Sequence, residues 1–193
     1  RQCAMATHWT LMGALIMAGL LPAWGATAAT LGSAALSPAV ALRHPAPDAP
    51  TLAGRTSAGE PINLQALRGQ VVLVMVWSTD CPVCLNKMPE LRANLAGWHA
   101  QGFKVISINT DARPDALRSW EAARQVTVPT LQQWPSLWRH APGFATSLPL
   151  DAPNTTVATH LPSIYVLDRT GKVRLHTTGR VPADVWDTIA DLL

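Results

Sequence analysis

The chain has 193 residues, 48% of them hydrophobic and 14% charged, which is enough for one domain with a hydrophobic core once terminal segments are set aside. Its formal charge of +3 is spread along the chain rather than gathered into a run of Lys and Arg, so no electrostatic footprint for nucleic acid is present. Of the three cysteines, Cys3 lies in the N-terminal segment, which leaves Cys81 and Cys84 for the folded part and excludes a disulfide scaffold.

Residues 1–28 read as a signal peptide or an N-terminal membrane anchor. A weakly basic start (Arg1, His8) leads into an apolar run from Leu11 to Leu21, then Pro22 and small residues. That run is short for a membrane span, where about 20 apolar residues are needed. Cleavage after Gly25 or Ala28 satisfies the small-x-small rule; left uncleaved, residues 9–29 form the anchor. Both readings place the domain outside the cytoplasm, in the periplasm. Residues 29–47 are rich in Ala, Pro and Ser and have the composition of a linker.

The domain is expected over residues 48–193. "GEPINLQALRGQ" offers a short strand and a turn at Gly69, and "VVLVMVW" is a β-branched run suited to a central strand buried on both faces. Residues 82–100 predict a helix, with Leu85, Met88, Leu91, Leu95 and Trp98 at helical spacing and a kink at Pro89. "FKVISIN" is the next strand and "PDALRSWEAARQ" the next helix, with Pro114 early and Leu117 and Trp120 on one side. Strand, helix, strand, helix implies parallel strands in a right-handed α/β arrangement. From Thr130 to His160 the period is lost, and at most one short helix is expected after Trp134-Pro135. "SIYVLD", the turn "DRTGK" and "VRLHT" then predict a hairpin, and "ADVWDTIADLL" a closing helix capped near Ala183 or Asp184.

The cysteines stand in "WSTDCPVCLNKMPEL", between a strand and a helix. The free N–H groups and positive dipole end of a helix starting at Cys81 stabilise a thiolate there, and the thiolate is the nucleophile. Cys84, one turn further in, is placed to resolve a mixed disulfide, and Pro82 suits the first helical turn. A structural zinc site needs four ligands, yet the chain has no second C-x-x-C or close His pair, and His99, His140, His160 and His176 are scattered. No metal and no cofactor beyond the cysteine pair is therefore expected. Two ordinary core cysteines are the bland alternative.

The segment "VVLVMVWSTDCPVCLNKMPEL" resembles the active-site region of the thioredoxin superfamily, and most closely the exported TlpA/ResA-like thiol-disulfide oxidoreductases. The resemblance implies a thioredoxin-like α/β fold, a central mixed sheet flanked by helices, with a Pro/Trp-rich insertion before the cis-proline loop. The insertion is this chain's departure, longer than the family leads one to expect; the resemblance itself implies that Cys81 and Cys84 are the redox pair and that Leu161-Pro162 is the cis-proline dipeptide beside them. Trp77, Pro82, Val83 and Leu161 become substrate-docking residues. Protein disulfides are the implied substrates, with apocytochrome c or copper-site cysteines as clients and a membrane thiol-disulfide protein as electron donor.

Two positions depart from the family pattern. Asp80 stands where an aromatic or neutral residue is usual; it reads either as an acid serving the helix terminus or as a charge opposing the Cys81 thiolate. The strand before the cysteines lacks the buried acid common in the family, which leaves Asp111 as the nearest proton acceptor for Cys84, or as a plain cap at the strand end. Trp134 and Trp138 of the insertion either cover a core edge or form a docking surface. A peroxiredoxin-type peroxidase is a rival reading, but of its motif only Ser78 is present and Val74 stands where proline is required. A copper-delivery protein is another, with Met88 or a histidine as third ligand to Cu(I), although its members usually space their cysteines by three residues.

Overall fold

The structure, a computed structural model, describes residues 49–150 and 160–193. The expected signal or anchor, the linker and the end of the insertion lie outside the described residues. Among those described, no helix is long and apolar enough to cross a membrane.

The strands are β1 (Leu52–Arg55), β2 (Pro61–Asn63), β3 (Val71–Trp77), β4 (Phe103–Asn109), β5 (Ser136–Trp138), β6 (Ala145–Thr146), β7 (Ser163–Leu167) and β8 (Val173–Thr178). The α-helices are α1 (Pro82–Trp98), α2 (Pro114–Thr127) and α3 (Asp184–Leu192). Five strands form one mixed sheet in the order β5-β4-β3-β7-β8. The pairs β3/β4 and β4/β5 are parallel, whereas β3/β7 and β7/β8 are antiparallel. A small antiparallel sheet, β2-β1-β6, accompanies it.

The seven residues of β3 are all buried, as its unbroken apolar run requires. Their alternation divides the core. Val71, Leu73, Met75 and Trp77 pack with Met88, Leu91 and Leu95 of α1, Leu117 of α2 and Val185 and Ile189 of α3. Val72, Val74 and Val76 point the other way, into a cluster with Leu52 of β1, Leu64, Leu137 of β5, Leu148 and Tyr165. The period of two is thus read out as two separate hydrophobic contacts.

The predicted helices form with small boundary differences, and α1 runs unbroken through Pro89. The hairpin also forms: Gly171 takes φ +80°, a conformation that favours glycine, while Asp168 Oδ1 accepts from Thr170 and Lys172 N–H groups.

The insertion differs from the sequence expectation. In place of a short helix after Trp134-Pro135, Ser136–Trp138 adds a parallel strand to the edge of the main sheet, and Ala145–Thr146 pairs with β1. The strand is held by Ser107 N–H donating to Pro135 O at 3.0 Å, Arg139 N–H donating to Asn109 O at 3.0 Å, and a buried Ser107–Ser136 hydroxyl pair at 2.7 Å. Three residues are too few to display a period, so long-range pairing with β4 decides this element. Trp134 is buried and covers a core edge.

Candidate active site

Between the end of β3 at Trp77 and the start of α1 at Pro82, four residues turn the chain. Cys81 is the N-cap of α1, with extended backbone (φ −99°, ψ 100°) and Pro82 in the first helical turn. Its Sγ accepts the Cys84 N–H at 3.1 Å, the role an oxygen plays in an ordinary N-cap. Cys81 is partly exposed and Cys84 is fully buried, and their sulfurs are joined in a disulfide of 2.03 Å. The helix terminus therefore presents N–H dipole to the sulfur of the less buried cysteine.

Pro82 is exposed and Val83 is 45% exposed, so the apolar surface beside Cys81 is open. Leu161-Pro162 is a cis peptide bond. Ser163, the next residue, lies opposite Val76 in the β3/β7 pair, which places Leu161-Pro162 at the same sheet end as the cysteine turn. Pro162 O accepts the Gly179 N–H at 2.8 Å, and Leu161 is partly buried against both core clusters.

Trp77 requires a correction. As a substrate-docking residue it would need an open face, but it is fully buried, with its ring 4.5 Å from that of Trp120 of α2. It sits on the inward-pointing parity of β3 and roofs the core. Trp120 continues this stack to Arg124, whose guanidinium lies 4.6 Å from the Trp120 ring and 5.0 Å from the Trp134 ring and donates to Trp134 O at 2.6 Å. Burial pushes Arg124 down to about 10, against the opposing pull of Glu121.

Asp80 is exposed, and its backbone N–H donates to Ser78 Oγ at 3.1 Å. Because Cys81 itself occupies the N-cap, Asp80 precedes the helix and is not its cap.

Asp111, just beyond β4, lies against the cysteine turn. Its Oδ1 accepts from Ser78 Oγ at 2.6 Å and Thr79 N–H at 3.0 Å, and its Oδ2 from Thr79 Oγ1 at 2.8 Å and Asn109 Nδ2 at 3.0 Å. Burial alone would raise this carboxyl, but the hydrogen bonds from Ser78, Asn109 and Thr79 outweigh it and hold it below the ordinary value of 3.8. Trp138 Nε1 donates to Asp111 O at 2.7 Å, so the insertion reaches the site from behind. Asn109, Thr79 and Trp138 carry no local sequence signal for this site, since their meeting depends on three separate chain segments; Ser78 stands out in the sequence only as part of the peroxidase motif.

Among the described residues, no group of three or more His, Cys, Asp or Glu is arranged to hold a metal ion. Met88 is buried in the core, His176 stacks on Tyr165 at 4.0 Å, and His99 lies 3.2 Å from Lys104 Nζ.

Comparison with known proteins identifies the family and the fold. The model of the AhpC/TSA family matches residues 43–176. The thiol-disulfide oxidoreductase ResA of Halalkalibacterium halodurans is 34% identical over 53 residues, covering 28% of this chain and 30% of that protein. This chain thus spans under a third of that curated relative. A thiol:disulfide interchange protein of the thioredoxin family from Chlorobium tepidum superposes with a TM-score of 0.56 at 18% identity, over 78% of this chain and 98% of that one. StoA from Bacillus subtilis does so with a TM-score of 0.51 at 16% identity, over 76% and 99%. The fold is thioredoxin-like, a mixed sheet with flanking helices.

Proposed function

Since the chain belongs to the AhpC/TSA family, and its cysteine pair opens a helix at the end of a thioredoxin-like sheet, we propose that it is a thiol-disulfide oxidoreductase that reduces protein disulfides through Cys81 and Cys84. One observation carries the reading: the sulfur of the partly exposed Cys81 accepts a helix N–H and is bonded to that of a fully buried partner. A nucleophile and a resolving thiol need that asymmetry.

In the reduced protein, the Cys81 thiolate attacks one sulfur of a substrate disulfide. A Cys81–substrate disulfide forms, and the other substrate sulfur leaves as a thiolate that takes a proton from solvent. Cys84 then loses its proton and attacks Cys81 Sγ, which releases the second substrate thiolate and forms the Cys81–Cys84 disulfide. Two electrons pass from the dithiol to the substrate, and an external dithiol donor restores the pair. Pro82, Val83, Leu161 and Pro162 would hold an extended substrate segment beside the sulfur.

The cell envelope is the proposed location, on the strength of the apolar segment Leu11–Leu21 and the small residues after it. The donor is then a membrane thiol-disulfide protein. Apocytochrome c and copper-site cysteines are the proposed clients.

The test is reduction of insulin disulfides with dithiothreitol as donor, using wild type, Cys81→Ser and Cys84→Ser. Cys81→Ser should abolish activity, whereas Cys84→Ser should still attack and accumulate mixed disulfides, from which clients can be identified. Faster alkylation of Cys84 than of Cys81 in the reduced protein reverses the roles. Rapid peroxide consumption, or stoichiometric Cu(I) capture with loss of reductase activity, would sink the reading.

A further inference from the structure

We propose that Asp111 is a positioning residue for attack by Cys81: anchored beyond β4, its carboxylate holds the Ser78–Thr79 turn in the shape that delivers the sulfur to the start of α1. The inference rests on the oxidoreductase reading and adds a residue to it.

The bonds form a continuous chain from carboxylate to sulfur. Asp111 receives Ser78 Oγ, Thr79 N–H and Thr79 Oγ1 at 2.6, 3.0 and 2.8 Å. Ser78 passes the constraint on: its Oγ accepts the Asp80 N–H at 3.1 Å and its carbonyl the Cys81 N–H at 3.2 Å. Cys81 Sγ then accepts the Cys84 N–H at 3.1 Å. Every residue of the turn is thus tied, directly or through Ser78, to one carboxylate.

That carboxylate is itself immobilised. Asn109 donates to Oδ2 at 3.0 Å and accepts the Asp111 N–H at 3.1 Å, and Trp138 Nε1 donates to the Asp111 carbonyl at 2.7 Å. Thr110 adds a parallel link, donating through N–H and Oγ1 to Trp77 O at 2.9 and 3.1 Å. The loop after β4 therefore grips the turn after β3, with β5 behind it.

The chemistry of the four donors demands a carboxylate. Two oxygens that accept only, with about four lone-pair sites between them, match four donors; an amide has one oxygen and, whichever way it is turned, would set its own N–H groups against the Thr79 backbone N–H or Asn109 Nδ2. Hydrogen bonds to an ionised acceptor are also the stronger kind. Saturation by donors argues against the direct role raised from sequence, proton acceptor for Cys84. The lowered affinity of the carboxyl for protons points the same way.

When the grip is lost, the Cys81 sulfur loses its alignment with the helix N–H groups, and the thiolate loses their stabilisation. The reduced full chain tests this, with the Cys81 thiolate followed by ultraviolet absorbance against pH and its alkylation by iodoacetamide timed at neutral pH. Asp111→Asn removes a negative charge, whose loss alone would lower the Cys81 titration, so loss of the grip is read as the opposite shift: the titration should move to higher pH and alkylation should slow by ~3-fold or more. The double substitution Ser78→Ala with Thr79→Val should reproduce both changes, and adding Asp111→Asn to it should add little. Should Asp111→Asn not fold, the Ser78→Ala/Thr79→Val protein alone decides. An unmoved titration in these variants overturns the proposal. So does an Asp111→Asn effect that persists undiminished in the Ser78→Ala/Thr79→Val background, because Asp111 would then act without the turn. Insulin reduction by wild type is read separately: its absence defeats the oxidoreductase reading while the thiolate measurements still report on the positioning role.

Discussion

Val76 of β3 stands opposite Ser163 of β7 in antiparallel register, so the strand that runs out toward Cys81 and the Leu161-Pro162 dipeptide that leads into β7 share one end of the sheet. A parallel strand in that position would have carried the dipeptide's side of β7 to the far end. The direction of one strand therefore assembles the site.

A substrate segment laid across this end would cover Val83, an exposed apolar side chain two residues from Cys81. Burial of a valine contributes about 1.5 kcal/mol or more, which corresponds to about tenfold in affinity. Val83→Glu should therefore raise KM for a protein disulfide about tenfold while kcat changes less. Equal KM values for the two proteins in steady-state assays would remove Val83 from the docking surface.

Asp80 places an exposed acidic side chain directly before Cys81 without capping the helix. Its charge opposes the thiolate that the helix terminus favours, so Asp80→Asn should shift the Cys81 titration to lower pH. The reduction potential should become less negative in step, as measured by equilibration with glutathione. A titration that stays in place, or moves upward, shows that the side chain points away from the sulfur.

Acid should weaken the fold through carboxylates that the native state holds below their ordinary range. Asp111 is one, and Glu90 is another, chiefly through the hydrogen bond from Lys87. Each has a folded value below its unfolded one, so its contribution is fully present above the unfolded value and disappears as pH falls through the folded value. Between the two, the unfolded chain binds more protons and stability rises with pH. Urea midpoints of wild type and Asp111→Asn should thus differ at neutral pH and converge below the ordinary carboxyl value of 3.8. A gap that stays constant into strong acid is the contrary result.

Arg124 offers a test of the core rather than of the chemistry. Its stem and guanidinium are buried between Trp120 and Trp134, and it donates to Trp134 O. Arg124→Ala removes packing, ring contact and a backbone partner together, which should lower the unfolding free energy by about 2–4 kcal/mol. Val126, on the same helix but 87% exposed, should tolerate alanine within about 0.5 kcal/mol. Equal losses in a denaturant titration would mean that the stack adds nothing.

Local pattern was sufficient for much of this protein. The apolar run Val71–Trp77, the helical spacing of Met88, Leu91 and Leu95, and the turn around Gly171 each carry their conformation in neighbouring residues, because strand period, helix period and turn chemistry act over a few positions. The cysteine pair was legible for the same reason: N-cap, first-turn proline and second thiol lie within four residues. Tertiary structure decided what depends on residues far apart in the chain. Ser136–Trp138 is a strand only because β4 offers it an edge, and Trp77 is closed to solvent because side chains of the three helices pack over that face of β3, Trp120 of α2 among them. Asp111 reads alone as a strand-end acid; its grip on Ser78 and Thr79 exists because parallel pairing in register sets Trp77 beside Asn109, so that the turns following both strands meet. Hydrogen bonds that cross between segments have no period in the sequence, and only the packed sheet brings their donors and acceptors together.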